Sequence, residues 1–290
     1  MAKHYPVEPV CKALHVSRSG FYAHRIKPDR PRRRRDAELK PKIRKVFEQS
    51  RHNYGSPRIM IELRREGERL GRNRILRLMR EQGLKARSKR RFKPRTTQAD
   101  PRLAVSPNWL RQVPRPDRID QVWVSDITYL PTREGWHYLA VVMDLFSRRV
   151  VGWAAGSSLE TTLVAKALER AIAMRGKSPG LIHHSDRGCQ YASRDYRNAL
   201  SSAGITSSMS RKGNCYDNAT MESFFATLKT EVFDKQIAQS RRQAELLVFD
   251  YIETFYNPRR IHTSLDGKSP LEFEVHHQTH SKPQPHCPHY

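Results

Sequence analysis

Apolar residues recur at three- and four-residue intervals through the first third of the chain, then in alternating or continuous short runs beyond Gln121. That change of period predicts a helical region followed by one that opens with strands. Val10, Ala13, Leu14 and Val16 lie before Ser17, and Phe21, Tyr22 and Ala23 after it, so a short helical pair with Ser17 as an N-cap is expected. Leu39, Ile43, Val46 and Phe47 share one helical face, although Pro41 suits that helix only if it begins nearby or bends. The next helix opens with Ser56 as N-cap and Pro57 at its first position, buries Ile59, Met60 and Leu63, and stops near Gly67. A third, from about Asn73 to Gln82, buries Ile75, Leu78 and Met79, ends at Gly83 and displays Arg72, Arg74, Arg77 and Arg80.

Beyond Gln121 the pattern predicts strands over Val122 to Leu130, Trp136 to Leu145 and Arg149 to Ala155, with turns at Gly135 and Ser147. A helix follows from about Leu159 to Met174, then a short strand from Leu181 to Ser185 and further helices. Antiparallel strands leading into alternating helix and strand indicate a layered α/β domain.

Charge sharpens this division. The 290 residues carry a formal net charge of +25, for which a polyanion is the expected partner. Residues 1–115 hold 33 Lys and Arg against 10 Asp and Glu, a net +23, and residues 116–290 hold 21 against 19, a net +2. Two short helices, the second rich in arginine, match a helix-turn-helix reader of DNA, with a basic helical bundle as the bland alternative. The basic character continues past that helix through Arg87, Lys89, Arg90 and Arg91, which join its four arginines as candidate DNA contacts. Arg30 to Arg35 reads as a basic connector, either solvated or touching phosphate, and residues 85–116, with five prolines, as an extended linker.

The four cysteines have no paired spacing, which argues against a zinc ribbon or a disulfide framework. No run approaches the roughly 18 to 20 apolar residues needed to span a bilayer, and the first residues lack an apolar core of the secretory kind. A cytoplasmic protein without membrane attachment is expected.

Strand alternation sets Asp126 on the same face as Val122 and Val124, where an unpaired carboxylate is expensive and calls for a cation or strong donors. Asp186 ends the apolar strand Leu181-Ile182, where α/β sheets place ligand groups. Glu222 opens a helix near Thr220, with Asp217 and Asn218 as capping candidates, and Ala226 and Lys229 follow it on one side. Three carboxylates from two strand ends and a helix suit Mg²⁺, and two such ions about 3.5 to 4 Å apart clamp an in-line phosphoryl displacement. Asp144 is a candidate fourth ligand or a structural group. His183 and His184, adjacent on a strand, point to opposite faces and cannot ligate one ion together.

The segments Trp123-Val124-Ser125-Asp126-Ile127-Thr128-Tyr129, His184-Ser185-Asp186-Arg187-Gly188-Cys189-Gln190-Tyr191 and Ser208 to Ala219 running into Glu222-Ser223-Phe224-Phe225 resemble the second-frame (OrfB) product of the insertion-sequence three group. These are DDE transposases related to retroviral integrases. The 35 residues between Asp186 and Glu222, and Lys229 seven beyond the glutamate, follow the family's spacing, as do Tyr54-Gly55-Ser56-Pro57-Arg58 and Tyr256-Asn257, Arg260, His262 and Leu265. Cys189 departs from it, standing where a small hydroxyl residue is usual.

The resemblance implies an RNase H-like core preceded by an all-α helix-turn-helix-like domain, with Asp126, Asp186 and Glu222 as the catalytic, metal-binding triad and Lys229 contacting the DNA end. It implies Mg²⁺, as two ions, with Mn²⁺ as a substitute. The partners would be terminal inverted repeats and target DNA, other copies of this chain assembled on that DNA, and a first-frame (OrfA) product, separate or fused. The expected organisation is a short helical segment and connector over 1–35, a DNA-binding domain over 36–84, a linker over 85–116, the catalytic core over 117–275 and a His- and Pro-rich disordered tail over 276–290. The expected activity is metal-dependent cleavage and strand transfer at insertion-sequence ends. A domesticated DNA-binding regulator lacking catalysis, and a nuclease acting on RNA:DNA hybrids, are the rival readings.

Overall fold

The computed structural model describes residues 6–25, 31–87, 106–111, 116–210, 219–234 and 237–280. They fall into two compact units, Met1–Ala86 and Arg87–Tyr290.

The first unit is helical. Helices α1 (Val7–Ala13) and α2 (Arg18–Arg25) form the expected pair, and Ser17 Oγ accepts a hydrogen bond from the Gly20 amide at 3.0 Å, capping α2. Helix α3 (Pro31–Gln49) begins well ahead of Pro41, so most of the stretch read as a connector is helical. Proline suits the first helical position, where an amide proton has no partner. Pro41 lies inside α3 on its exposed side. A proline there removes one backbone bond at a cost of about 3 kcal/mol, and the fully buried Leu39 and Ile43, with Val46 and Phe47, hold the helix together against α4 (Ser56–Arg65) and α5 (Arg72–Glu81). Gly55, not Ser56, is the N-cap of α4, since Ser56 is already helical and buried. Gly83, at φ +68°, closes α5 in a backbone conformation that favours glycine.

The second unit is built on a five-stranded sheet in the order β3-β2-β1-β4-β5. Strands β1 (Val122–Thr132), β2 (Gly135–Asp144) and β3 (Val150–Gly156) are antiparallel, and β4 (Ile182–Ser185) and β5 (Thr206–Met209) run parallel to β1. This is the RNase H-like arrangement. Helix α6 (Thr161–Arg175) lies on β3 and β2, filling one face with Leu163, Val164, Ala167, Leu168 and Ala171 against Trp123, Ala140, Val142, Val151 and Ala154. The approach is so close that a Cβ on Gly152 would stand 2.2 Å from the Ala167 carbonyl oxygen. Helices α7 (Cys189–Ala192) and α8 (Arg194–Ser202) complete that layer. Helices α9 (Ala219–Leu228) and α10 (Arg241–Phe249) pack against β1, and α10 also against β2.

Part of the presumed linker is structural. Trp109–Arg111 form a 3-10 turn beside β5, where Ser208 Oγ accepts from the Trp109 amide and the Ser106 and Ser207 hydroxyls lie 3.0 Å apart. That segment covers an otherwise open strand edge. The expected tail also changes: α11 (Pro270–His280) carries the chain through His276, His277 and His280 as helix, because its start is held by Ser269 and its Glu274 is buried in the core. His286, Cys287 and His289 lie outside the described residues. No helix among the described residues is long and apolar enough to cross a membrane.

Candidate active site

The parallel pairing of β1 with β4 sets Ser125 beside Ser185, so the residue after each, Asp126 and Asp186, meets its counterpart. Neighbouring parallel strands lie about 4.8 Å apart, which places the Asp126 carboxylate, midway along β1, beside that of Asp186, just past the carboxyl end of β4. Asp126 Oδ1 accepts from the Ile127 amide and Asp186 Oδ1 from the Gly188 amide, each at 2.8 Å. A Cβ on Gly188 would stand 3.0 Å from Asp186 Oδ1, so the loop wraps the carboxylate closely. Behind the pair, the Ser125 and Tyr191 hydroxyls lie 3.0 Å apart in the core. Burial raises the Tyr191 phenol well above its ordinary value, and the charges of Tyr196, Asp126 and Asp186 add to that.

Lys229 is half-buried at the point where α9 gives way to a π-helical turn, Lys229–Phe233. Burial lowers its pKa, and the charge of Asp126, within electrostatic reach, opposes that shift. The wide turn is fastened from below: Arg260 Nε and Nη2 donate to Glu231, at 2.9 and 2.6 Å, and the Tyr251 hydroxyl donates to the same carboxylate at 2.8 Å. Glu231, Arg260 and Tyr251 are all buried. Tyr251 itself belongs to a second π-helical segment, Asp250–Tyr256, that continues α10. Neither π-turn, nor the Glu231–Arg260 pair, has a signal in the hydrophobic period.

Glu222 lies in the first turn of α9 and is exposed. Among the described residues no three His, Cys, Asp or Glu side chains form a metal-holding group, so Asp126 and Asp186 come together and Glu222 does not complete a trio with them. Three carboxylates without a cation repel one another, which favours their separation. The capping candidates Asp217 and Asn218 lie outside the described residues. The donor set nevertheless suits Mg²⁺, an ion commonly held by one or two carboxylates together with substrate phosphates.

Asp144 serves structure. It is fully buried, accepting from the Ser147 and Asp120 amides at 2.7 Å, and burial raises it to about 6. Ser147 Oγ lies 3.0 Å from Asp144 Oδ1 and 2.6 Å from Glu274 Oε1, linking the two buried carboxylates. Glu274 also receives Arg149 and Arg175, tying α11 to the sheet. The histidine pair divides as alternation requires: His183 faces the Tyr196 hydroxyl at 3.0 Å and His184 Nδ1 faces Ser208 Oγ at 2.9 Å.

In the helical unit the arginines of α5 part company. Arg72 and Arg80 are exposed, whereas Arg74 and Arg77 pair with the buried Asp36 of α3 at 2.7 and 2.6 Å. Arg77 also meets Glu81. The helical period could not distinguish them, since the carboxylate comes from a residue 38 positions away. Arg87 is half-buried at the edge of the described residues, and Lys89, Arg90 and Arg91 lie outside them.

Comparison with known proteins gives concordant matches. Residues 33–92 match an HTH-like domain, and residues 116–215 and 222–277 match integrase core domains. The chain is 42% identical over 270 residues to the insertion element IS600 uncharacterized 31 kDa protein of Shigella sonnei, covering 93% of this chain and 99% of that one. It is 39% identical over 272 residues to transposase InsF for insertion sequence IS3A of Escherichia coli, covering 93% and 94%. Among solved structures, the catalytic core domain of BIV integrase is a distant likeness, with 17% identity and a TM-score of 0.42 over 56% of this chain and 97% of that one. The extent and level of identity to these insertion-sequence proteins place this chain in the IS3 family of transposases.

Proposed function

We propose that this chain is a DNA transposase that cuts at the ends of an insertion sequence and joins them to target DNA. The observation that supports the reading is the placement of Asp126, within β1, beside Asp186, just past the end of β4, with Lys229 in electrostatic reach of Asp126.

Asp126, Asp186 and Glu222 would hold Mg²⁺, or Mn²⁺ in its place, with Glu222 joining the pair when ion and phosphate are present. Bound there, the ions supply Lewis acidity and, as a pair, a clamp on the attacking and leaving oxygens. Lys229 neutralises a non-bridging phosphate oxygen of the DNA end and orients it. Water attacks the scissile phosphorus, the P–O3′ bond breaks, and the freed 3′ oxygen takes up a proton. That 3′-hydroxyl then attacks a phosphodiester of the target and displaces its 3′ oxygen, so phosphodiester bonds are exchanged without an external energy source. The helical unit would bind the terminal inverted repeats through Arg72 and Arg80, working in a homo-oligomer on DNA with a first-frame product.

The test is cleavage and joining of labelled terminal-repeat DNA with Mg²⁺. Asp186→Asn is expected to lose both steps while keeping duplex binding; retained joining would refute the assignment. A readout independent of activity is thermal stability: Mg²⁺ or Mn²⁺ should raise the Tm of the wild type and leave Asp186→Asn unmoved.

A further inference from the structure

The sheet unit buries one side of α10 and leaves the other open. Ala244 and Val248 are fully buried on the side that meets β1 and β2. Leu246, two residues from each, is turned about 160° away, where it is 49% exposed. Phe249, nearly one turn on, is 53% exposed, and its ring lies 6.5 Å from that of Trp153 on the outermost strand, β3. Scattered exposed apolar residues are ordinary, but two neighbours on one helix face keep joined apolar surface in water with no gain to the fold.

The polar residues of that face are ordered by sign. Arg242, four residues before Leu246, is exposed at one end, and Asp250, four residues after it, is exposed at the other. Arg242 meets Glu245 at 3.3 Å in a pair that leaves 72% of the arginine side chain open. Asp250 Oδ1 accepts from the Thr254 hydroxyl at 2.9 Å, and Trp153 Nε1 donates to Glu253 at 2.9 Å. With Glu245, Asp250 and Glu253 set against Arg242, this face is acidic in a chain of net charge +25, which makes it a poor surface for DNA phosphates. A row that runs basic, apolar and acidic along a helix is complementary to its own reverse. Turned about a two-fold axis at Leu246, Arg242 of one copy stands opposite Asp250 of the partner subunit, and the same contact recurs at the other end, each about 6 Å along the helix from the axis. The two Leu246 side chains meet at the centre with Phe249 beside them, an apolar middle between charged ends of the kind protein interfaces use.

We infer that the outward face of α10 is a two-fold contact through which two copies of this chain associate, with Arg242 and Asp250 setting its register. The inference deepens the proposed function and rests on it for the purpose of the pairing, since an insertion sequence has two ends to be joined.

The experiment is sedimentation velocity on the full chain over a range of concentrations, without DNA or Mg²⁺. Wild type should sediment as a concentration-dependent dimer, and Leu246→Glu as a monomer with an unchanged far-ultraviolet CD spectrum. Arg242→Glu and Asp250→Arg should each weaken the dimer about 10- to 100-fold, because like charges then face each other at both ends. The two substitutions together should restore it, a rescue that damage to the fold would not give. Monomeric wild type overturns the contact and leaves the face to a different protein. A dimer that all three single substitutions leave intact overturns it too, as does a double variant no tighter than the single ones. Cleavage of terminal-repeat DNA by wild type, measured alongside, separates the two proposals: an inactive dimer with the charge-swap rescue keeps the contact and removes the transposase reading, and active protein without the rescue does the reverse.

Discussion

His183 and Asp144 show how burial acts with opposite sign on a base and an acid. Burial, aided by the charge of His184, drives His183 down to about 3, so the folded protein keeps it neutral where the unfolded chain protonates it near 6.5. Between those values the unfolded state binds more protons, and stability is lost as pH falls. Asp144, lifted to about 6 by burial, is protonated in the folded state first, so its contribution grows as pH falls from about 6 toward its unfolded value. From pH 7 to 5 the histidine contributes a loss of about 2 kcal/mol. His183→Gln should therefore lose less stability than wild type across that interval by about this amount, measured by urea unfolding at both values. Parallel curves would mean that His183 is already protonated in the fold.

Elements depend on a few contacts that the local chain does not announce. The Glu231–Arg260 pair fastens the turn that presents Lys229, and removing one partner of a buried pair costs about 3 to 5 kcal/mol because the other is stranded. Arg260→Met is expected to destabilise the sheet unit by that amount. All four tryptophans, Trp109, Trp123, Trp136 and Trp153, lie in this unit, so their fluorescence follows its unfolding alone. The contact of α6 with β3 sets a second test. Gly152→Ala pushes a methyl group into the Ala167 carbonyl and the Ala171 backbone, and overpacking of this kind costs about 1 to 3 kcal/mol or more. A neutral result in the same denaturation would show that α6 can slide on the sheet.

At the scale of the whole molecule the division of charge is the organising feature, with nearly all of the net +25 in the first 115 residues. Arg72 and Arg80 are exposed, and among the described residues no ion pair engages them as Asp36 engages Arg74 and Arg77. Substituting Arg72 and Arg80 together by Ala should weaken duplex binding and reduce the slope of log K against log salt by about 2, if each releases one counterion. Arg74→Ala and Arg77→Ala should instead lower the thermal stability of the helical unit, since Asp36 loses a partner that holds its pKa down against burial. The reverse pattern would make Arg74 and Arg77 the phosphate contacts.

Periodicity and charge alone marked out the helical unit, the antiparallel start of the sheet and the carboxylates Asp126 and Asp186, because hydrophobic spacing and a charge on an apolar strand are properties of neighbours along the chain. The motifs and their separations were enough to identify the family. What they left open depends on residues remote in sequence. The parallel pairing of β1 with β4 decides that Asp126 and Asp186 meet; Asp36 decides which α5 arginines are engaged; Arg260 decides how the turn at Lys229 is held. The helical start at Pro31 and the tolerance of Pro41 follow from burial against α4 and α5. Such long-range pairings are chosen by the free energy of the packed whole, to which no local segment has access.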